Sequence, residues 1–320
     1  MRRSLAASAG IGVALLASPS PAQQPPLQEP ATPDLKPAPA RLGSDPPPPP
    51  APEHRLNWNF PRFRTWQYVA IGVQTAANLT VEFTDFPSRG ETWRSPLPLD
   101  LPVRRALVAP THESQERWAS VSDVMWWTTQ FYTVVVDSLL VPLAFDDFNT
   151  DVAFQMTMIN WQTLGLTGIV TRIAHQTSGR ARPSTYGCSD EEDADFPCKP
   201  DGPGFFAGHV SMTSAGAALA CAHHAALPLY GEGPAGTITC VLLSASAVGV
   251  GVLRIVADRH WLSDVIAGHL VGGAIGFGLP WLLHYQHPIN PDLSALGVTH
   301  TAWLPWATED RISLSLVGVF

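Results

Sequence analysis

From residue 60 onward, apolar side chains recur at intervals of three and four, the spacing that lines them along one face of an α-helix. This periodicity predicts helices at 65–82, 121–144, 152–175, 207–228, 236–256 and 261–284. The stretches between them are rich in Pro, Gly and Asp, most of all at 96–110 and 183–204, and read as loops. The expected architecture is all-α, a bundle of six helices over residues 59–288. Within it, residues 235–253 and 265–283 are each nineteen residues long and almost free of ionisable groups, and Trp261 and Trp281 flank the second like interface anchors. Both read as membrane spans. The helix at 152–175 carries Gln155, Asn160 and Gln162, and that at 121–144 carries Asp123 and Asp137, which suit a bundle interior better than lipid. The turns at 145–151 and 229–235 contain no Lys or Arg, so loop charge does not orient the bundle.

The pattern changes at both ends. Arg2 and Arg3, an apolar run over 11–17, and the small residues Ser20 and Ala22 before Gln23 predict a secretory signal over 1–22. Residues 23–58 are Pro-rich, too poor in large apolar side chains to fold, and read as a spacer. Residues 289–320 form an extension in which 312–320 alternates apolar and hydroxyl side chains, so a β-hairpin is expected there. Export makes the pair Cys188 and Cys198 interpretable as a disulfide, with a reduced pair as the competing reading, while Cys221 and Cys240 fall in apolar helices.

Composition narrows the function. The chain has 320 residues, 45% of them hydrophobic, enough for one core with appendages. Its formal net charge of −8 leaves no basic stripe along which to neutralise a nucleic acid strand, so no nucleic acid partner is expected. An anionic substrate has to rely on local arginines.

Such arginines occur in three segments. In the run LRIVADRHWLSD, Arg254, His260 and Asp264 place a cation, an imidazole and a carboxylate at a spacing suited to phosphate chemistry. Asp264 lies one helical turn beyond His260, where its carboxylate is expected to hold the ring N–H and leave the other nitrogen free to attack. Upstream stand His175, Arg180, Arg182 and Pro183, and then Phe206, Ala207, Gly208 and His209. His223, His224 and His269, in contrast, read as packed imidazoles with hydrogen-bond partners. His260 with Asp264, taken alone, also fits a helix-start hydrogen bond or two ligands of a metal.

In order and internal spacing the three segments resemble the type 2 phosphatidic acid phosphatase and vanadium haloperoxidase superfamily, whose blocks read KxxxxxxRP, PSGH and SRxxxxxHxxxD. The resemblance covers roughly 120–285 and departs from the pattern at His175, Phe206, Ala207 and Leu253, which stand where the family has Lys, Pro, Ser and Ser. It implies a six-helix bundle whose blocks meet at one end. It further implies a phosphatase in which His260 attacks phosphorus, His209 serves as general acid and base, and Asp264 orients His260. Arg182 and Arg254 would clamp the phosphate, with His175, Arg180 and the Gly208 N–H completing its site. Arg180 is the expected replacement for the donors lost at the departures. The substrate would be a phosphorylated lipid or small phosphoester, the membrane the partner, and no metal or cofactor is required. A vanadate-dependent haloperoxidase is the alternative, as is a degenerate protein that binds lipid without turnover. The expected location is exported, either in the inner membrane with the site facing the periplasm or soluble in the periplasm. With His in place of Lys at 175, activity is expected to fall above neutrality.

Overall fold

The computed structural model describes residues 55–83, 92–186 and 204–286 in full, and the backbone alone of 13–15, 300–308 and 311–319. The chain divides into two units, residues 52–289 and a second made of 1–51 with 290–320. In the second unit, β1 (Val13–Leu15), β2 (His300–Thr308) and β3 (Arg311–Val319) are ordered β1-β3-β2, and β2 runs antiparallel to β3 with His300 opposite Val319. The processing site at 20–23, the spacer up to residue 54 and the pair Cys188 and Cys198 lie outside the described residues.

The larger unit is helical. Among its described residues are seven helices: α1 (Thr65–Phe83), α2 (Asp100–Leu107), α3 (His112–Phe145), α4 (Thr150–Ser178), α5 (Gly208–Ala226), α6 (Ala235–Val256) and α7 (Leu262–Tyr285). α2 falls in the segment expected to be loop, and α3 begins nine residues before the expected start at 121. Its first turns, His112 to Ser120, are almost wholly polar, so apolar periodicity does not reveal them; a capping box between Thr111 and Ser114 starts the helix instead. Midway, α3 passes through a π-helical stretch, Tyr132–Leu140, where the Ser138 hydroxyl donates to the Thr133 carbonyl five residues back (2.9 Å).

Small residues set the tightest helix contact. On α7, Gly268, Gly272 and Gly276 lie against the backbone of α5, and a Cβ added to Gly272 would stand 2.0 Å from the Ser211 carbonyl oxygen. A disulfide between Cys221 and Cys240 joins α5 to α6, a pairing their separate apolar helices do not announce.

The bundle is polar inside and apolar outside. Thr133, Asp137, Ser138, Asn160, Thr167 and Ser211 are buried, while Val124, Trp127 and Phe131 on α3, Val241, Leu242 and Val248 on α6, and Ile266, Leu270 and Leu282 on α7 are exposed. α3, α6 and α7 are each long and apolar enough to cross a membrane. Together these features make the chain a membrane protein. The expected spans at 235–253 and 265–283 coincide with α6 and α7, and α3 joins them although it carries Asp123 and Asp137.

Helix direction defines two poles. α3, α5 and α7 begin at the pole where α4 and α6 end. The opposite pole is closed by the segment before α1: Leu56, Trp58, Phe60 and Phe63 pack with Met156, Leu229 and Tyr285, and the Asp146 carboxylate accepts from the Leu56 N–H (3.1 Å). α1 then climbs beside α4, with the Trp161 indole donating to Thr75 (3.0 Å) and the Asn78 amide to the Gly165 carbonyl (3.2 Å). Buried at this pole, the His223 ring bonds both the Tyr285 hydroxyl (2.5 Å) and the Asn160 side-chain oxygen (2.8 Å), and His224 Nε2 lies 3.2 Å from Asp137.

Candidate active site

All three motif segments lie at the first pole, and backbone geometry explains their spacing. At the end of α6, Asp258 adopts a left-handed conformation (φ 57°), which turns the chain back so that the Arg254 carbonyl accepts from both the Arg259 N–H (3.0 Å) and the His260 N–H (3.3 Å). Arg254 and His260 are thereby folded side by side. The turn is held from α2, whose Arg104 grips the Asp258 carboxylate through two bonds of 2.6 and 2.7 Å, and from α3, whose Glu116 pairs with Arg259. The strand-like segment at 92–93 bridges residues 180–181, with the Trp93 N–H donating to the Gly179 carbonyl (2.9 Å) and the Ala181 N–H to the Trp93 carbonyl (2.9 Å). On the other side the Trp261 indole donates to the Ala181 carbonyl (3.0 Å), which fixes the loop that presents Arg182.

His260 is held differently from expectation. Its Nδ1–H donates to the Gly204 carbonyl (2.9 Å), whereas the nearer Asp264 oxygen lies 3.8 Å away. A carbonyl only accepts, so Nδ1 carries the proton and Nε2 keeps its lone pair. Asp264 therefore does not orient the ring directly. One of its oxygens accepts from the Trp261 N–H (2.9 Å) and the other from Arg180 (2.6 Å), tying down the start of α7, one residue from the imidazole.

Arg180 also departs from expectation. Its guanidinium is about 1% exposed and lies between Asp264 and Asp100, whose oxygen is 2.5 Å away, with the Trp93 ring stacked 4.1 Å beneath it. Asp100 in turn accepts from the backbone N–H (2.9 Å) and hydroxyl (2.8 Å) of Ser263. Arg180 is thus a buried clamp between the first motif segment and α7, and it does not face a phosphate.

Three of the motif residues, His175, Gly208 and His209, line one pocket. A cavity of about 240 Å³ is lined by Trp126, Gly168, Thr171, Arg172, His175, Gly208, His209 and Met212. Gly208 opens α5, where backbone N–H groups have no intrahelical partner, and its missing side chain lets His175 approach to 3.3 Å of the site a Cβ would occupy. His175 donates its Nε2–H to the Phe206 carbonyl (2.7 Å). His209 Nε2 lies 3.2 Å from the Asp123 carboxylate on α3, which also pairs with Arg254. The positive charges of Arg182 and Arg254 act on both His209 and His260.

Of the departures from the motif, Ala207 is enclosed with Val210, Val250, Ile255 and Val265, and its N–H donates to the Asp264 carbonyl (3.1 Å). Phe206 is buried with its ring edge-on to Phe205, and Leu253 is half-buried. Three contributors escaped the sequence reading: Asp100, Arg104 and Asp123. The first two lie in a Pro-interrupted stretch with no helical periodicity, and Asp123 reads from sequence only as an interior polar group.

Electrostatics hold all three imidazoles neutral near neutral pH. Burial lowers His209 to about 3, helped by Arg254 and opposed by Asp123. Burial and then Arg182, His175 and Arg254 push His260 well below the ordinary histidine value. Burial lowers His175 too, against its bond to Phe206. His175 is then already neutral near neutral pH, so the expected fall of activity above neutrality does not follow from it.

A membrane bundle that gathers two imidazoles, two guanidiniums and a helix N-terminus at one pole is a phosphatase-like site. Residues 158–288, a stretch that contains all three motif segments, match the model of the PAP2 superfamily. Among solved structures the chain is similar to the first transmembrane PAP2 type phosphatidylglycerolphosphate phosphatase from Bacillus subtilis, at 14% identity over 67% of this chain and 94% of that one, with a TM-score of 0.41. No curated protein matches the chain.

The three neutral imidazoles dictate a sign for stability against pH. The unfolded chain binds protons near pH 6.5 and the folded chain only lower, so the contribution is complete above about 6.5 and is lost as pH falls below it. The thermal midpoint in detergent should drop between about pH 7 and about pH 5, less steeply in His260→Asn. A flat midpoint over that range would contradict the assignment.

Proposed function

We propose that the protein hydrolyses phosphate or diphosphate esters of lipids through a phosphohistidine at His260. The observation that supports this most is the tautomer of His260: with Nδ1–H committed to the Gly204 carbonyl, the Nε2 lone pair is available beside Arg182 and Arg254. In the first step Nε2 attacks phosphorus, the bond to the ester oxygen breaks, and His209 gives its proton to the departing oxygen. In the second, water attacks phosphorus, His209 takes the water's proton, the N–P bond electrons return to His260, and inorganic phosphate leaves. Arg182 and Arg254 hold the oxygens over which the transition state spreads negative charge, and the N–H groups at the start of α5 add to them.

A lipid substrate suits both the apolar outer surface of the bundle and the cavity beside His209, whose walls include Trp126, Met212 and the bare backbone of Gly168. His260→Ala should cut phosphate release from a dispersed lipid phosphate by about 10³-fold or more, and acid-labile, base-stable radiolabel should accumulate on wild-type protein quenched during turnover. Label retained in His260→Ala, or undiminished turnover, would remove the proposal.

Orientation belongs to the same reading. Arg55 lies at the pole opposite His209 and His260, so a spanning bundle whose catalytic pole faces the periplasm keeps residue 55 in the cytoplasm. We propose that the catalytic pole faces the periplasm, a placement in which residues 1–22 do not act as the secretory signal expected from their pattern. A cysteine at Glu232, on the turn at the opposite pole, should resist an impermeant thiol reagent in intact cells, while one at Glu113, near the start of α3, reacts. Labelling of both would indicate a wholly exported bundle, and labelling of Glu232 alone the reverse orientation.

A further inference from the structure

Asp123 lies outside all three motif segments, yet its carboxylate meets two of the groups on which the proposed reaction depends. Oδ1 lies 3.2 Å from His209 Nε2, and the same oxygen accepts from Arg254 Nη2. One turn further along α3, Trp126 sets its ring edge-on to His209 with centroids 4.7 Å apart, so a single helix contributes both the charge beside the imidazole and a wall against it. About half of the Asp123 side chain remains exposed. Asp100 and Asp264, in contrast, are fully buried.

The charges around His209 explain what such a carboxylate does. Arg254 at the end of α6, and His260 and Arg182 in the adjoining loops, all act against a proton on His209, as does its burial. The ring also sits in the first turn of α5, at the positive end of that helix. Asp123 is the negative group that acts in the opposite direction. A general acid must carry its proton when the ester bond breaks; His209 is neutral with Asp123 alone beside it, so it takes up that proton only when the negative charge of a bound phosphate ester adds to that of Asp123.

We propose that Asp123 is a positioning residue for proton transfer, its carboxylate acting with the charge of the bound phosphate ester to hold His209 as the imidazolium that protonates the departing oxygen. The proposal rests on the phosphatase reading above. Asp123 neither gains nor loses a proton in the cycle: the proton passes from His209 to the leaving oxygen and is restored to His209 from the attacking water. Arg254 links the two tasks, because a phosphoryl oxygen drawn to its guanidinium arrives next to the nitrogen that Asp123 faces.

The test compares an alkyl phosphate, whose leaving oxygen needs a proton, with p-nitrophenyl phosphate, whose leaving oxygen does not, in wild type, Asp123→Asn, Asp123→Glu and His209→Ala. Asp123→Asn should lower kcat on the alkyl ester by about 10²-fold and on the aryl ester by at least tenfold less. Its loss of activity on the alkaline side should begin at lower pH than in wild type, and Asp123→Glu should recover most of the rate. Equal losses on the two esters would make Asp123 merely structural. A lower KM with unchanged kcat on both would make it a competitor for Arg254. Either result, or no change at all, overturns the proposal. If His209→Ala shows the leaving-group dependence and Asp123→Asn does not, the phosphatase reading stands without Asp123. If neither shows it while His260→Ala is inactive, the acid and base role of His209 falls and this proposal with it.

Discussion

The guanidinium of Arg180, buried between the carboxylates of Asp100 and Asp264, is the contact on which the arrangement of the catalytic pole depends. Three parts of the chain far apart in sequence meet there: the start of α2, the loop after α4 and the first turn of α7. A charge removed from water is tolerated only when it is paired and hydrogen-bonded, and losing one partner of such a set costs about 3–5 kcal/mol. Here the pairing is dense. Arg180 also stacks on Trp93, Asp100 takes the Ser263 N–H, and Asp264 takes the Trp261 N–H. Two carboxylates at the N-terminus of α7 are further favoured by that helix's dipole.

This cluster places the reactive groups without touching them. Arg182 follows Arg180 by two residues, and His260 precedes the first turn of α7. Once Arg180 is fixed, the loop bearing Arg182 and the turn bearing His260 have little freedom relative to each other. The backbone completes the work: the Gly204 N–H donates to the Arg180 carbonyl (2.7 Å), and the Gly204 carbonyl accepts from His260 (2.9 Å). The same glycine therefore joins the clamp to His260. Asp264 thus acts at one remove, fixing the helix start on which the imidazole hangs.

The parts legible in the sequence were those that repeat or that match a pattern. Apolar periodicity located six of the helices, and the three motif segments named the residues at the catalytic pole. What stayed hidden is physical in origin. Residues 100–107 carry a proline and two adjacent arginines, so their short helix has no apolar rhythm, and its value lies in what Asp100 and Arg104 reach across space. Spacing cannot say whether a guanidinium turns toward solvent or toward two buried carboxylates, which is why Arg180 was assigned to phosphate. Nor can it distinguish a carboxylate that holds an imidazole from a backbone carbonyl that does so, since a carbonyl carries no side-chain signature. The Cys221 and Cys240 pairing depends on how α5 and α6 face each other, which the sequence of neither helix contains.

The most direct measurement is a paired one on Arg180→Met and Arg182→Met: unfolding free energy in detergent, and binding of orthovanadate, a tetrahedral anion shaped like phosphate. The account predicts that Arg180→Met loses about 3–5 kcal/mol of stability. Arg182→Met should unfold like wild type while binding vanadate at least about tenfold more weakly. An Arg180→Met protein as stable as wild type, with vanadate binding as impaired as in Arg182→Met, would contradict it and return Arg180 to the anion site.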